Sequence, residues 1–159
     1  MTNFMSKQTI YIFIVVTGLT AQLMSCRSQR ADKSYEDVTK RFGEMLLNGN
    51  FTSAHAMLTT HLQSRLSPDQ LKQNYMELQA KGSVIPEKIL SDFGDLPADR
   101  NEAEEIYSID PSIPFESYKA WMFVNFVDEQ ENGFEARLLI VSEEGILKIG
   151  HVEFDWLDS

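Results

Sequence analysis

The stretch from residue 118 to residue 156 limits the fold most, because it holds three apolar segments separated by only two short glycine-bearing gaps. Segments 118–128, 134–142 and 146–156 are rich in β-branched and aromatic residues, and neither gap has room for a helix. Asn132-Gly133 is the favoured pair for a two-residue type I′ turn, and Glu144-Gly145 supplies a second one. Strands joined so tightly run antiparallel, so a C-terminal meander is expected.

Two details of this stretch predict how it sits in the molecule. In the last segment Leu147 and Ile149 fall on one parity, Val152, Phe154 and Trp156 fall on the other, and Gly150 lies between them. A β-bulge at Gly150 would reset the inward face and bend the strand. Residues 118–124 are apolar on both parities, which predicts a central strand or one covered on both faces. The aromatic series Trp121, Phe123, Phe126, Phe134, Phe154 and Trp156 suits a core or the wall of a cavity.

Upstream, the period changes from two to between three and four. Ser34 with Asp37 resembles a capping box, and Tyr35, Val38, Phe42, Met45 and Leu46 then form a helical stripe that Asn48-Gly49-Asn50 ends. A second helix is expected with Thr52 or Ser53 as its cap and Ala54, Met57, Leu58 and Leu62 as its stripe. Ser67-Pro68-Asp69-Gln70 places a cap, an N1 proline and an N3 glutamine in order, with Leu71, Tyr75 and Leu78 buried and Gly82 as the stop. An extended segment over 84–93, a carboxylate-rich connection over 95–105, a short strand over 105–109 and a proline loop over 110–114 lead into the meander. Helices first and a curved antiparallel sheet after them make an α+β fold, with the N-terminal helices packed on one face of the sheet.

Charge is unevenly placed along the chain. Residues 27–85 hold 8 Lys/Arg against 6 Asp/Glu, whereas from Pro86 onward the balance is 5 against 18. An acidic surface of that size repels phosphate backbones, so nucleic acid is excluded as a partner.

The N-terminus has an export layout. One cation, Lys7, precedes an apolar run from Ile10 that spans about 15 residues even when extended to Met24, short of the about 20 a spanning helix needs. Leu23-Met24-Ser25-Cys26 follows, and it resembles the lipobox of bacterial lipoproteins: an aliphatic residue, an uncharged residue, a small residue and cysteine. The resemblance covers residues 1–26. It implies a signal peptide over 1–25, cleavage between Ser25 and Cys26, diacylglyceryl attachment to the Cys26 thiol, and acylation, for instance with palmitate, of the new amino terminus. Cys26 is the only cysteine, so no intrachain disulfide competes for it. Residues 26–33 would then be the lipidated cysteine and a tether, and 34–159 a single α+β domain. The seven tether residues after Cys26 reach roughly 23 Å, and Arg27, Arg30 and Lys33 suit anionic headgroups. Arg27 stands where an Asp is associated with inner-membrane retention, which leaves both the cell membrane and the outer membrane open as addresses.

The order of elements, the Leu-Ser-Pro-x-x-Leu start at 66–71, Gly82 and the meander resemble the nuclear-transport-factor-2-like superfamily over about residues 34–156. That likeness implies a cone-like domain, and the superfamily contains isomerases, dehydratases and non-catalytic binding domains.

Few residues point to chemistry. His55 and His61 are six apart, which on one helix turns them about 120° away from each other, so no metal pair is expected. His151, beside the expected bulge, is the one candidate acid or base, with Asp92 or Glu153 as its carboxylate. Neither a nucleophile elbow, a phosphate loop nor a calcium loop is present, and no cofactor is implied. The leading expectation is a membrane-anchored lipoprotein with a non-catalytic domain that binds a ligand or an envelope protein. An isomerase- or hydratase-type enzyme with a conical pocket, and an envelope-resident immunity protein, remain open beside it.

Overall fold

The computed structural model describes residues 33–105 and 107–157. The chain divides into the units Met1–Ser34 and Tyr35–Ser159, and the fold lies in the second. The expected export segment, the cut between Ser25 and Cys26, and the tether fall outside the described residues.

Helix α1 covers residues 33–47, and because residue 33 is already helical, Ser34 is not its cap. The chain leaves α1 through Gly49 at φ +72°. The single helix expected next is two short ones, α2 (Phe51–His55) and α3 (Thr60–Arg65), and Asn50 rather than Thr52 or Ser53 stands at the start of α2. The interruption has a tertiary cause: the Ile149 amide donates to the Met57 carbonyl at 3.0 Å, and the Thr59 amide donates to the Ile149 carbonyl at 2.9 Å. Backbone groups between the helices are spent on the sheet. Thr59 then caps α3 by accepting from the Leu62 amide at 3.2 Å.

Helix α4 (Pro68–Gly82) begins with the expected box. The Gln70 amide donates to Ser67 Oγ at 3.2 Å, and the Ser67 amide donates to Gln70 Oε1 at 2.8 Å. It runs through Gly82, and the left-handed residue that ends it is Ser83 at φ +53°. Trp156 packs over Gly82, where a Cβ would lie 1.8 Å from the indole.

Strand β1 (Lys88–Gly94) opens the sheet, and the described residues of the segment 105–109, where a strand is expected, form none. Helix α5 (Arg100–Glu105) takes its place in the connection, followed by a 3-10 turn at Phe115–Ser117. Asp99 Oδ1 accepts from the Glu102 amide at 3.0 Å while Glu102 Oε2 accepts from the Ala98 amide at 2.5 Å, so local capping wins over apolar content. Strands β2 (Tyr118–Val127), β3 (Gly133–Glu143) and β4 (Ile146–Trp156) complete an antiparallel sheet of order β1-β2-β3-β4.

The two late hairpins differ. Glu144 and Gly145, at φ +52° and +79°, form the two-residue turn between Glu143 and Ile146 as expected. Asn132-Gly133 does not form one. Gly133 pairs with Val127 inside the ladder, and the turn is the loop 128–132, held by Asp128 Oδ1, which accepts from the Gln130 and Asn132 amides at 2.9 Å each. Gly133 is required for closeness instead, since a Cβ there would lie 1.9 Å from the Phe126 carbonyl oxygen.

The ladder slips by one residue between Leu139 and Ile140, which face His151 and Ile149, so Gly150 is the extra residue of a bulge. Leu147, Ile149, Val152, Phe154 and Trp156 all reach the same core as a result. That core joins Phe42, Leu46, Ala54, Leu71 and Tyr75 from the helices and Leu58 from the break between α2 and α3 to Met122, Val124, Phe126, Phe134, Ala136, Leu138 and Ile140 from the sheet. Tyr75 sits at its centre, edge-on to Phe126 and Phe134 at 5.2 Å each and to Phe51 at 5.8 Å, and burial pushes its hydroxyl up to about 12.

Tyr75→Ala is expected to cost about 3–5 kcal/mol in urea denaturation, because it empties a site that the sheet cannot close. Gly133→Ala is expected to cost about 2 kcal/mol or more, since backbone rather than a side chain must yield. A wild-type midpoint for either variant would contradict this packing.

Candidate functional site

The second face of the sheet is covered over only part of its area. Ala103, Ile109 and Ile113 from the 95–117 connection bury Trp121, Leu139 and Val141 in a smaller core, with Tyr107 edge-on to Trp121 at 4.9 Å. Strand register sets what lies beside that cover. Side chains on this face fall in three rows across the sheet: Gly94, Trp121, Leu139 and His151; then Asp92, Phe123, Arg137 and Glu153; then Leu90, Asn125, Glu135 and Asp155. The first row carries the small core, and the next two are open.

An open groove of about 480 Å³ lies here, lined by Asp92, Tyr107, Trp121, Phe123, Asn125, Glu135, Arg137 and Glu153. Arg137 organises its floor. Its Nε donates to Glu135 Oε1 at 2.6 Å, and its NH2 group reaches Asp155 Oδ2 at 2.9 Å. Partial burial pulls the guanidinium pKa down, but Glu135, Asp155 and Glu153 outweigh it and the net direction is up. Two of the groove's carboxylates, Asp92 and Glu153, have no ion pair among the described residues. The groove is therefore net negative with aromatic walls.

This face also holds most of the unpaired buried polar atoms among the described residues. Among the described residues five buried side-chain atoms lack a hydrogen-bond partner, and three of them, Trp121 Nε1, Asn125 Oδ1 and His151 Nε2, belong to these rows. Such atoms are costly and need an explanation, and here they share one face of the sheet.

His151 does not meet the carboxylate expected for it. Its ring stacks on Trp121 with centroids 6.0 Å apart, and Nε2 is buried without a partner. Burial alone lowers its pKa from the ordinary 6.5, and no carboxylate contributes. It borders a neighbouring groove of about 570 Å³ with His61, Arg65, Asp110 and others, while Asp92 and Glu153 line the 480 Å³ groove.

A cluster that sequence reading missed sits in that neighbouring groove and its rim. His61 Nε2 lies 3.2 Å from Asp110 Oδ2 and 3.1 Å from Ser112 Oγ, and Arg65 pairs with the same Asp110 oxygen. The residue types are those of a nucleophilic triad, but the geometry is not. A triad histidine uses opposite ring nitrogens for the carboxylate and the hydroxyl, whereas here both contact Nε2, which cannot donate to Asp110 and accept from Ser112 together. The cluster ties α3 to the 110–112 loop. No sequence signal could have found it, because its members are about fifty residues apart.

His55 and His61 lie on different short helices, so the helical-angle argument for keeping them apart does not apply. His55 instead approaches the Gln63 carbonyl at 3.4 Å. Among the described residues no group of three or more His, Cys, Asp or Glu converges to hold a metal ion, and no helix is long and apolar enough to cross a membrane. Cys26 and Ser25 lie outside the described residues. In comparison with known proteins, no family model, no curated protein and no solved structure matches this chain.

A buried neutral His151 links stability to pH with a definite sign. Its folded pKa is depressed below 6.5, so its contribution is complete above that value and is lost as pH falls below it, where the unfolded chain takes up the proton first. His151→Gln should therefore lose less stability than the wild type between pH 7.5 and 5.5, read from denaturant midpoints; equal losses would contradict a desolvated imidazole.

Proposed function

We propose that the chain is an exported bacterial lipoprotein, anchored through Cys26, whose domain binds a ligand or a protein of the cell envelope without catalysis. The observation that carries the binding part is the uneven covering of the sheet. Its helix-side core is filled, with Phe42, Leu58, Phe126, Phe134 and Leu138 fully buried, whereas its other face leaves an aromatic-walled groove with two unpaired carboxylates. Asp92 and Glu153 there have no ion pair among the described residues and can engage something outside the domain. His151 has no hydrogen-bond partner at Nε2 among the described residues and meets neither Asp92 nor Glu153, so the acid–base pair a reaction of the isomerase or hydratase type would use is not assembled, which supports binding.

The anchoring part rests on Leu23-Met24-Ser25-Cys26 and on the apolar run before it. Two or three acyl chains give stable membrane attachment where one does not. The short tether would hold the domain close to the cell membrane or the outer membrane. We read the helices and bent sheet as a variant of the nuclear-transport-factor-2-like cone, in which the concavity is taken up by side chains.

Metabolic labelling with a fatty acid tests the anchor. The wild type is expected to incorporate label and sediment with membranes, and Cys26→Ser to do neither. Undiminished labelling of the serine variant would refute the assignment.

A further inference from the structure

Strand β1 borders the sheet: its inner side pairs with β2, and its outer side makes no backbone hydrogen bond to any described residue. An open edge offers unpaired N–H and C=O groups to another strand, and proteins usually guard it with charge, proline or a bulge. This edge carries two charges, Lys88 and Asp92, with Pro86 just before it, and exposed apolar side chains beside them. Of the six large apolar residues most exposed among those described, Ile85, Leu90, Phe93 and Leu96 all fall within the segment 85–96, at 77%, 46%, 45% and 39% exposure. Scattered single residues would need no explanation, but four within one short segment on and beside an open strand edge mark a contact surface.

The charges on the strand identify what fits it. Lys88, Leu90 and Asp92 occupy alternate positions and project from one face of the sheet. Their order has opposite charges at equal distances from Leu90. When two copies of this strand meet antiparallel with Leu90 opposite Leu90, Lys88 of each copy falls opposite Asp92 of the other. Both cross-strand pairs are then attractive, and the apolar residue sits between them. Parallel pairing in register would set lysine against lysine and aspartate against aspartate.

We infer that the protein forms a twofold homodimer through β1, joining two four-stranded sheets into one antiparallel sheet of eight. The contact is isologous and closes on itself, so it stops at two copies. Both charged groups are available for it. Among the described residues Lys88 is engaged only by Glu131 at 3.7 Å, with both side chains about half or more exposed, and pairs of that kind hold little. Asp92 uses Oδ1 on the Phe93 amide at 2.8 Å, and no bond among the described residues engages Oδ2. A seven-residue edge makes a small interface, so association should depend on concentration. None of this rests on the lipid anchor.

Cysteine cross-linking in the full-length chain carrying Cys26→Ser tests the register. Residues opposite each other across antiparallel strands have Cα atoms about 4.5–5.5 Å apart, within the range a disulfide spans. Leu90→Cys is expected to form a disulfide-linked dimer at least about tenfold faster than Ile146→Cys, a comparably exposed position on the distant β3-β4 turn. Adding Lys88→Asp should slow the Leu90→Cys reaction about tenfold, and adding Asp92→Lys to that variant should restore it. Recovery by the double reversal also shows that the single reversal did not merely unfold the chain. Linking at position 90 no faster than at position 146, or charge reversals that leave the rate unchanged, or a double reversal that fails to restore it, would overturn the dimer.

Discussion

One extra residue in β4 governs how the molecule is partitioned. Side chains alternate along a strand, so Ile149 and Val152 would face opposite ways in a regular ladder. The bulge at Gly150 lets both enter the helix-side core, and the same step turns His151, Glu153 and Asp155 onto the other face. Gly150 itself packs closely, where a Cβ would lie 2.9 Å from Val141. Ile149, immediately before it, bonds through its backbone to Met57 and Thr59 and so divides α2 from α3. Helix breaks, core membership and groove chemistry thus share one local cause.

The two faces that result have different physical characters. On the helix side, large side chains interlock around Tyr75, and each fully buried one stabilises the fold by roughly 1.5–3 kcal/mol. On the other side the 95–117 connection covers one end of the sheet and stops. Arg137 there is shared by Glu135 and Asp155, which fixes the groove floor while Asp92 and Glu153 stay unpaired on its sides. A rigid floor with free groups at the margin is what a binding surface needs, since little ordering remains to be done on contact.

Much of this architecture was legible in the sequence wherever a local rule decided the outcome. The capping box at Ser67 and Gln70, the turn at Glu144-Gly145, the central position of β2 and the bulge at Gly150 follow from spacing and parity. Reading failed where a distant partner overrode local preference. One helix became α2 and α3 because Ile149 takes the intervening backbone groups, and Gly133 serves a close approach to Phe126 rather than a turn. The missed α5 did leave a signal, because Asp99 and Glu102 have capping-box spacing. Of the candidate site, His151 could be placed beside the bulge, but not its stacking on Trp121 or its isolation from Asp92 and Glu153. The His61, Asp110 and Ser112 cluster was illegible, since sequence distance hides spatial contact.

Deleting Gly150 and following unfolding in denaturant tests the role of the bulge most directly. Without the extra residue, one half of β4 must turn over, withdrawing either Leu147 and Ile149 or Val152, Phe154 and Trp156 from the core. The cooperative transition should then vanish or lose more than about 4 kcal/mol. A deletion variant that unfolds at the wild-type midpoint with wild-type cooperativity would contradict it.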